Sequence, residues 1–407
     1  MDAIFIVSLV VVIALFFDFT NGFHDTANAM ATPIATGALK PRTAVAIAAV
    51  MNLAGAFLST AVAKTISVSM LNVDLSTLSF GTSLVLAGLT GAIIWNLTTW
   101  FLGLPSSSSH ALFGGLIGAT LAYAGMDAVN GAKIIEKVLI PAVLAPVVAG
   151  LAAFITTRLA YIATARTQKE RNKTGISTGR AKFKIGQIFT SSLGALAHGT
   201  NDAQKTMGVI TLVLIAGGLQ PKDSGVQSWV IWSAALAIAL GTYSGGWRII
   251  KTMGKGLAEI RPAQGFSAEV ATGSTILASS TLGFALSTTQ VAGGAIIGSG
   301  LGRRGGAVKW GKAGQIVLAW FFTLPAAAIV GAASAYITML GPIGIVIDLI
   351  LTVGVITAIF QIASRNKVNH KHVAPNELEV ASETVLTPKQ VQAAAKKAQQ
   401  KAKKGKK

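Results

Sequence analysis

The amino-acid sequence contains no cysteine and few charged residues. Without cysteine, the 407-residue chain can form neither a disulfide framework nor a thiolate site, and cysteine usage does not indicate a redox compartment. Charged residues make up 12% of the chain, whereas a soluble globular domain has about 25%. Acidic residues are the rarer kind: the chain has 15 aspartates and glutamates but 34 lysines and arginines, which gives a formal net charge of +19. This composition argues against a soluble enzyme.

The chain has long apolar runs instead, and 52% of its residues are hydrophobic. Examples are Ile4–Phe17, Val45–Val62, Ile134–Thr157, Val230–Gly246, Ile316–Ala333 and Ile343–Ile362. About 20 consecutive apolar residues cross the hydrocarbon core of a bilayer. The first run lacks a basic flank, so we expect it to be a membrane span rather than a removable signal peptide. The runs therefore predict an all-α, polytopic membrane protein.

The positive charge is concentrated in two segments. Residues 158–184 contain eight basic residues and one acid, and residues 363–407 contain eleven and three. Basic segments are retained in the cytoplasm during membrane insertion. We therefore expect 158–184 to be a cytoplasmic loop between membrane repeats at 1–157 and 185–362. We expect 363–407 to be a solvated, basic cytoplasmic tail, with a short helix against anionic membrane lipid as the alternative. No base-reading motif accompanies the lysines, so nucleic acid is not an expected partner.

Two pairs of matching motifs indicate an internal repeat. Gly22–Asp25 aligns with Gly199–Asp202 at an offset of 177 residues, and Gly103–His110 aligns with Gly283–Gln290 at an offset of 180. Both matches occur in the same order at nearly the same offset, which favours duplication. With the N-terminus outside, five crossings in the first repeat would invert the second relative to it. Inverted repeats with interrupted helices are typical of secondary transporters.

We expect the first helix of each repeat to be interrupted, near Thr20–Asp25 and near Gly199–Lys205, because polar residues and glycine occur there within an apolar run. Later in each repeat, two apolar stretches predict a helical hairpin: 82–101 with 107–124, and 265–285 with 287–300. The other expected spans are 43–63, 134–157, 228–247, 314–336 and 340–362.

Acidic residues within apolar runs are candidates for transport chemistry, because a charge at the centre of a span costs about 2.5–3.5 kcal/mol on insertion scales. Asp25 and Asp202 occupy equivalent repeat positions, and each is surrounded by polar residues. Glu269 lies near the start of a span, where a helix N-terminus tolerates a carboxylate. Asp348 stands alone in a late span and could be a structural hydrogen-bond partner. Asp18 is the fifth acid of this kind.

Two hydroxyl clusters open apolar helices at equivalent positions of the repeats. Ser106–Ser109 and Ser287–Thr289 each follow a turn, so hydroxyls and unsatisfied backbone N–H groups lie together at a helix N-terminus. Such a site binds an anion without a fixed positive charge. Helix capping is the alternative, but a cap needs only one hydroxyl. We therefore interpret both clusters as binding substrate.

The aspartates and hydroxyls together favour phosphate among the oxyanions. Aspartates repel an anion unless a cation intervenes or the anion donates a proton to them. Phosphate at neutral pH still carries P–OH donors and sulfate carries none, so an aspartate acceptor would discriminate between the two. The same aspartates and their asparagine neighbours could hold a coupling cation, either Na⁺ or a proton.

Three longer motifs resemble the signatures of a known family. Asn21–Ala29, Ile94–His110 and Ala197–Met207 are similar to those of the inorganic phosphate transporter (PiT) family, and most of all to its bacterial low-affinity Pit branch. The resemblance extends over 1–362. It implies import of inorganic phosphate with a coupled cation, in the plasma membrane and without a resident cofactor. It also implies proton coupling and carriage of phosphate as a neutral complex with a divalent metal, whereas other branches of the family use Na⁺.

By this resemblance, the family's paired aspartates fall on Asp25 and Asp202, and its hairpin hydroxyls fall in the two hydroxyl clusters. The predicted substrate-binding residues are Asp25, Asp202, Ser107, Ser108, Ser109, Ser287, Thr288 and Thr289. The predicted cation-coupling residues are Asn21, His24, Asp25, Asn28, His110, Asn201, Asp202, Glu269 and Gln290. Gln290 departs from the family pattern, which commonly has histidine there, and this leaves His24 and His110 as candidates for a proton relay.

Other classes of protein fit the sequence less well. A membrane hydrolase would need a nucleophile–base pair, but Ser109 and His110 are adjacent in the chain and no Gly-x-Ser-x-Gly turn occurs. A channel would differ from a carrier in its non-saturable flux. Sulfate, another oxyanion or a metal ion alone is the alternative substrate. The oligomeric state is open, with a homodimer as one alternative.

Overall fold

The computed structural model describes residues 3–64, 80–174, 178–222 and 224–374, and within them the long elements are all helices. In chain order these helices are α1 (Ala3–Ala35), α2 (Pro41–Gly55), α3 (Gly81–Leu102), α4 (Ser108–Ala124), α5 (Ile140–Thr174), α6 (Thr178–Ala216), α7 (Ser228–Ser244), α8 (Pro262–Thr281), α9 (Thr288–Gly302), α10 (Trp310–Thr338) and α11 (Pro342–Arg365). These ranges contain no β-strand, and an isolated bridge joins Ala258 to Val308. The predicted all-α fold is confirmed.

Several helices have the length and composition of membrane spans. In the described residues, five helices are long and apolar enough to cross a bilayer, and they lie in α1, α3, α5 with the turns before it, α10 and α11. The outer helices expose large apolar side chains, such as Phe321 on α10 and Ile343 on α11, each 73% accessible. In water such exposure would be costly, whereas in a bilayer these side chains meet lipid. The chain is therefore a polytopic membrane protein.

Two helical hairpins form the interior, at the predicted positions. Helices α3 and α4 are joined through Gly103, and α8 and α9 through Gly283, whose φ angles of 68° and 74° suit glycine at the end of a helix. The first hairpin packs against α1 and the second against α6. Each hairpin also packs against a long helix from the other half of the chain, because α10 contacts α3 and α4 and α5 contacts α8 and α9.

The predicted interruptions of α1 and α6 are wrong, because both helices are continuous through Thr20–Asp25 and Gly199–Lys205. Polar side chains can form hydrogen bonds within the same helix; for example, Thr20 Oγ1 donates to Phe17 O at 2.7 Å. The glycines are contact points between helices. A Cβ atom on Gly22 would lie 2.4 Å from Ile238 O, and one on Gly199 would lie 2.3 Å from Asn52 O. Glycine here permits close packing without breaking the helix.

Two further expectations need correction. Segment 158–184 is not a loop throughout, because α5 continues to Thr174 and α6 begins at Thr178. Alanine and arginine, which each occur three times in 158–171, favour a helix whether or not it lies in lipid. The expected span 43–63 is divided, since α2 ends at Gly55 and a new helix begins at residue 61. The tail beyond residue 374 lies outside the described residues.

Basic residues from distant segments meet at helix ends. Lys184 Nζ donates to Gly37 O at 3.3 Å, Arg248 donates to Asn366 O at 2.6 Å, and Lys255 Nζ donates to Ala374 O at 3.0 Å. These contacts join 158–184 and 363–407, the two segments predicted to be cytoplasmic, to the ends of other helices.

Candidate functional site

The two repeat-equivalent aspartates come together where α1 and α6 pack against each other. Asp25 of α1 and Asp202 of α6 are fully buried, and His198 of α6 lies between them. His198 Nε2 is 2.7 Å from Asp202 Oδ2 and 3.9 Å from Asp25 Oδ2. The three side chains each offer one ligand atom within 4.8 Å of the others. Two carboxylates and an imidazole in this arrangement are a donor set for a divalent cation.

Hydroxyl groups from both hairpins donate to these aspartates. Ser108 Oγ donates to Asp25 Oδ2 at 2.9 Å, and Thr289 Oγ1 donates to Asp25 Oδ1 at 3.2 Å. Thr288 Oγ1 donates to Asp202 Oδ2 at 3.1 Å. Ser108 begins α4, and Thr288 and Thr289 begin α9, so the N-termini of these two helices face the aspartate pair. Positive helix ends, hydroxyls and carboxylates therefore meet in one buried centre.

The remaining residues of the hydroxyl clusters have structural partners. Ser107 Oγ accepts from His110 N at 3.1 Å and Ser287 Oγ accepts from Gln290 N at 3.3 Å, so both residues are N-caps. Ser109 Oγ donates to Leu286 O at 3.1 Å and thereby joins the tips of the two hairpins. Helix capping thus accounts for one residue in each cluster, Ser107 and Ser287. The residues that follow these caps, Ser108, Thr288 and Thr289, contact the aspartates.

A buried lysine is part of the same centre. Lys205 is fully buried, and its ammonium group forms an ion pair with Asp202 Oδ1. His24 Nδ1 lies 2.7 Å from Asp25 Oδ1. The expectation of an anion site without a fixed positive charge is therefore wrong. The buried carboxylate of Asp202 holds the ammonium group in place.

Sequence reasoning did not assign His198 and Lys205 to the site, although their spacing carries a signal. His198, Asp202 and Lys205 occur at positions i, i+4 and i+7, which lie on one face of a helix. A helix interrupted near Gly199–Lys205, as predicted, would not place these three side chains on one face. A continuous α6 would have placed all three side chains on the face that meets α1.

The asparagines predicted to couple cations have different surroundings. Asn28 Nδ2 donates to the hydroxyls of Thr288 and Thr289 at 3.2 and 3.0 Å. Asn201, with its amide oriented to suit its neighbours, accepts from Ser280 Oγ at 2.9 Å and donates to Asp202 Oδ1 at 3.2 Å. Asn21 is also buried, but neither its amide oxygen nor its nitrogen has a hydrogen-bond partner in the described part of the chain.

Of the other predicted coupling residues, Gln290 and His110 contact each other, and Glu269 lies in a separate cluster. Gln290 Nε2 is 3.5 Å from His110 Nδ1, so this pair joins α4 and α9 behind the hydroxyls. Glu269 belongs to a separate cluster, where its Oε1 accepts from Thr32 Oγ1 at 2.6 Å. Thr32 lies seven residues after Asp25 on α1, or about 10 Å along the helix at 1.5 Å per residue. The structure therefore does not bring Glu269 into the aspartate pair.

Asp348 has the surroundings of a structural residue. Ser334 Oγ donates to its Oδ1 at 2.7 Å and Thr90 Oγ1 donates to its Oδ2 at 3.2 Å. These bonds join α11 to α10 and α3. Both carboxylate oxygens are thus satisfied, as expected for a buried polar group with a structural role.

Comparisons with known proteins identify the family of this chain. A family model described as the phosphate transporter family matches residues 21–331. A protein of Mycobacterium leprae named "Probable low-affinity inorganic phosphate transporter" is 51% identical over 376 residues, which cover 92% of this chain and 88% of that protein. A Bacillus subtilis protein with the same name is 43% identical and covers 83% of this chain and 98% of its own length.

A solved structure supports the fold independently. It is described as "The sodium-dependent phosphate transporter", superposes with a TM-score of 0.72 at 24% identity, and covers 83% of this chain and 99% of the other. The family match places this chain among transport proteins rather than enzymes, and the apolar helices make it an integral membrane protein. The chain belongs to the phosphate transporter family.

Proposed function

We propose that the chain imports inorganic phosphate across the plasma membrane by proton symport and carries it as a complex with a divalent metal. The observation that carries this proposal is the meeting of Asp25, His198 and Asp202 with hydroxyls at two helix N-termini. The carboxylates and imidazole offer ligands to the metal, and the hydroxyls and helix ends offer donors to the phosphate. A single centre can therefore hold both parts of the complex.

The divalent metal removes the main electrostatic difficulty of such a site. Two buried aspartates repel a phosphate anion, and at short distance in a low-dielectric interior this repulsion is large. A metal bound between the carboxylates and the phosphate reverses the local sign of the potential. Lys205 acts in the same direction, because its ammonium group neutralises Asp202. The P–OH group of phosphate can donate to a carboxylate, which sulfate cannot do.

The proton is assigned to a separate carboxyl group, that of Glu269. Its Oε1 accepts from Thr32, but its buried Oε2 has no hydrogen-bond partner among the described residues. Gln187 Nε2 donates to Thr32 Oγ1 at 3.1 Å and fixes that hydroxyl. A buried carboxyl with one unsatisfied oxygen is suited to carrying a proton, because ionisation there is not compensated. His24 and His110 lie around the phosphate centre and are further imidazoles that could relay it.

Sodium-coupled phosphate symport is the second candidate. The similar solved structure is described as sodium-dependent, and the oxygen ligands of the aspartate centre suit Na⁺ as well as a divalent ion. Sulfate transport is a more distant alternative, because sulfate has no O–H group of its own to donate to the aspartates.

Uptake of labelled phosphate into proteoliposomes tests the proposal. A pH gradient, a Na⁺ gradient and divalent metal are varied one at a time, with protein-free liposomes as the control. We expect saturable accumulation that requires metal and the pH gradient. Accumulation driven by Na⁺ alone would select the second candidate. No phosphate accumulation under any gradient, or non-saturable flux, would contradict the proposed symport.

A further inference from the structure

A second group of buried polar side chains lies along α1, on the N-terminal side of the aspartate pair. Asp18 is fully buried, and neither of its carboxylate oxygens accepts a hydrogen bond from the described part of the chain. Both amide atoms of Asn21 and the hydroxyl of Thr206 are likewise buried and without a partner in the same ranges. Each such atom costs about 1–3 kcal/mol. Their concentration therefore needs a physical reason.

Asp18 and Thr206 meet at the interface of α1 and α6, and Asn21 lies one helical turn from Asp18. Asn21 follows Asp18 by three residues, so both side chains lie on one face of α1. Thr206 faces the Asp18 carboxylate from α6, which packs against α1. Asp18 precedes Asp25 by seven residues, or about 10 Å along the helix at 1.5 Å per residue. The group is thus adjacent to the phosphate centre but distinct from it.

The charged side chains around Asp18 leave its negative charge without a direct partner. Those that face it are Asp202, Lys205 and His198, all on α6. The ammonium group of Lys205 pairs with Asp202, and His198 contacts both aspartates of the pair. Asp202 adds a further negative charge nearby. A buried carboxylate in this position gains most by binding a cation, because its desolvation is otherwise uncompensated.

The available ligands define the class of cation. A carboxylate, an amide carbonyl and a hydroxyl are all oxygen donors, which favour hard cations. A single carboxylate, with the Lys205 ammonium close by, favours a single positive charge. We propose that Asp18, Asn21 and Thr206 form a monovalent-cation site on the extracellular side of the phosphate centre, and that its cation is coupled to transport in addition to the proton carried by Glu269. This inference rests on the proposed cation-coupled function. Na⁺ and a proton share this chemistry, and the experiment separates them.

Asp18→Asn is compared with wild type in proteoliposomes by two measurements. One is phosphate exchange at equal internal and external concentrations, and the other is accumulation driven by a pH gradient or, separately, by a Na⁺ gradient. We expect the ratio of accumulation to exchange to fall by at least about tenfold in one arm, and that arm identifies the cation. Thr206→Val should lower the ratio in the same arm to a smaller extent. Asp348→Asn is the matched control, because it changes a buried aspartate whose oxygens are both hydrogen-bonded.

A wild-type ratio in both arms would overturn the cation site. Parallel loss of exchange and accumulation would also overturn it, because Asp18 would then act on the fold or on phosphate. The absence of phosphate exchange in wild type would contradict the proposed function alone. In that case the site is still tested by the Tm of the purified protein without phosphate. Na⁺ should raise this Tm in wild type and Asp348→Asn but not in Asp18→Asn, or a change of pH should shift it less in Asp18→Asn than in the other two proteins.

Discussion

Asn28 and Lys205 each stand three residues after an aspartate of the central pair, but they bond to different groups. Asn28 donates to two hydroxyls at the start of α9, whereas Lys205 pairs with Asp202 itself. Asp202 therefore carries a built-in counter-charge. Asp25 is met by the imidazole of His24 and by hydroxyls instead. The two aspartates are equivalent in sequence position but not in electrostatics.

This asymmetry predicts an unequal response to removal of the lysine. Lys205→Met leaves Asp202 as a buried charge without its ion-pair partner, and we expect a loss of about 3–5 kcal/mol in the free energy of unfolding. Adding Asp202→Asn removes that charge and should recover most of the loss without restoring phosphate uptake. The Tm values of the purified variants measure the effect. Equal Tm values for the single and double variants would contradict a structural ion pair.

Asp25→Asn and Asp202→Asn should each reduce coupled phosphate uptake, by about 100-fold, because each removes a negatively charged ligand from the metal–phosphate complex. Asp202→Asn should also lower Tm, since Lys205 loses its partner, whereas Asp25→Asn should change Tm less. Asp348→Asn serves as the control for a buried aspartate outside the site. Uptake is normalised to the amount of protein in the membrane. A wild-type rate in either variant would remove that residue from the proposed site.

The sequence was sufficient to predict features that depend on neighbouring residues. Long apolar runs predicted the membrane helices, and the turn-plus-hydroxyl motifs predicted where α4 and α9 begin. Ser107 and Ser287 are found as N-caps because a cap needs only the three residues that follow it. The equivalence of Asp25 and Asp202 was also visible, since the repeat offset is a property of the sequence alone.

Features that depend on distant partners could not be predicted. Gly22 is compatible with a broken helix and with a close helix contact, and only the position of Ile238 decides between them. Lys205 follows Asp202 by three residues in the sequence, but their ion pair requires α6 to be continuous. Whether the Asp18 carboxylate accepts hydrogen bonds depends on the side chains of α6 that face it. The sequence of α1 alone does not identify those side chains.

Ser107 and Ser108 are neighbours with different contacts, and we expect their removal to affect phosphate affinity differently. Ser108→Ala removes a donor that contacts Asp25, and a hydrogen bond to a charged group contributes about 1.5–3 kcal/mol, so the phosphate KM should rise by about tenfold or more. Ser107→Ala removes a helix cap and should lower the free energy of unfolding by about 1 kcal/mol, with a smaller effect on KM. Uptake kinetics and Tm separate the two. A larger KM change for Ser107→Ala would reverse the assignment.

Gly22→Ala tests whether glycine in α1 serves packing. The added Cβ would lie 2.4 Å from Ile238 O of α7, so the two helices must separate. We expect a loss of about 1–3 kcal/mol in stability, as for overpacked interiors. Gly354→Ala on α11 is the control, because its Cβ would have no atom within 4 Å, and alanine favours a helix over glycine by up to about 1 kcal/mol. A Tm for Gly22→Ala as high as that of the control would show that α1 and α7 are not in close contact.

His198 provides the last prediction, which concerns the metal. Its imidazole lies between Asp25 and Asp202, so His198→Gln should weaken metal binding by about 10–100-fold while both carboxylates stay in place. Uptake should then require a correspondingly higher concentration of divalent metal, and chelation should abolish it in wild type and variant alike. His370→Gln is the matched control, because this histidine lies in the short helix His370–Val373, away from the centre. An unchanged metal requirement in His198→Gln would mean that the cation is held by the aspartates alone, and transport that survives chelation would mean that phosphate travels without a divalent metal.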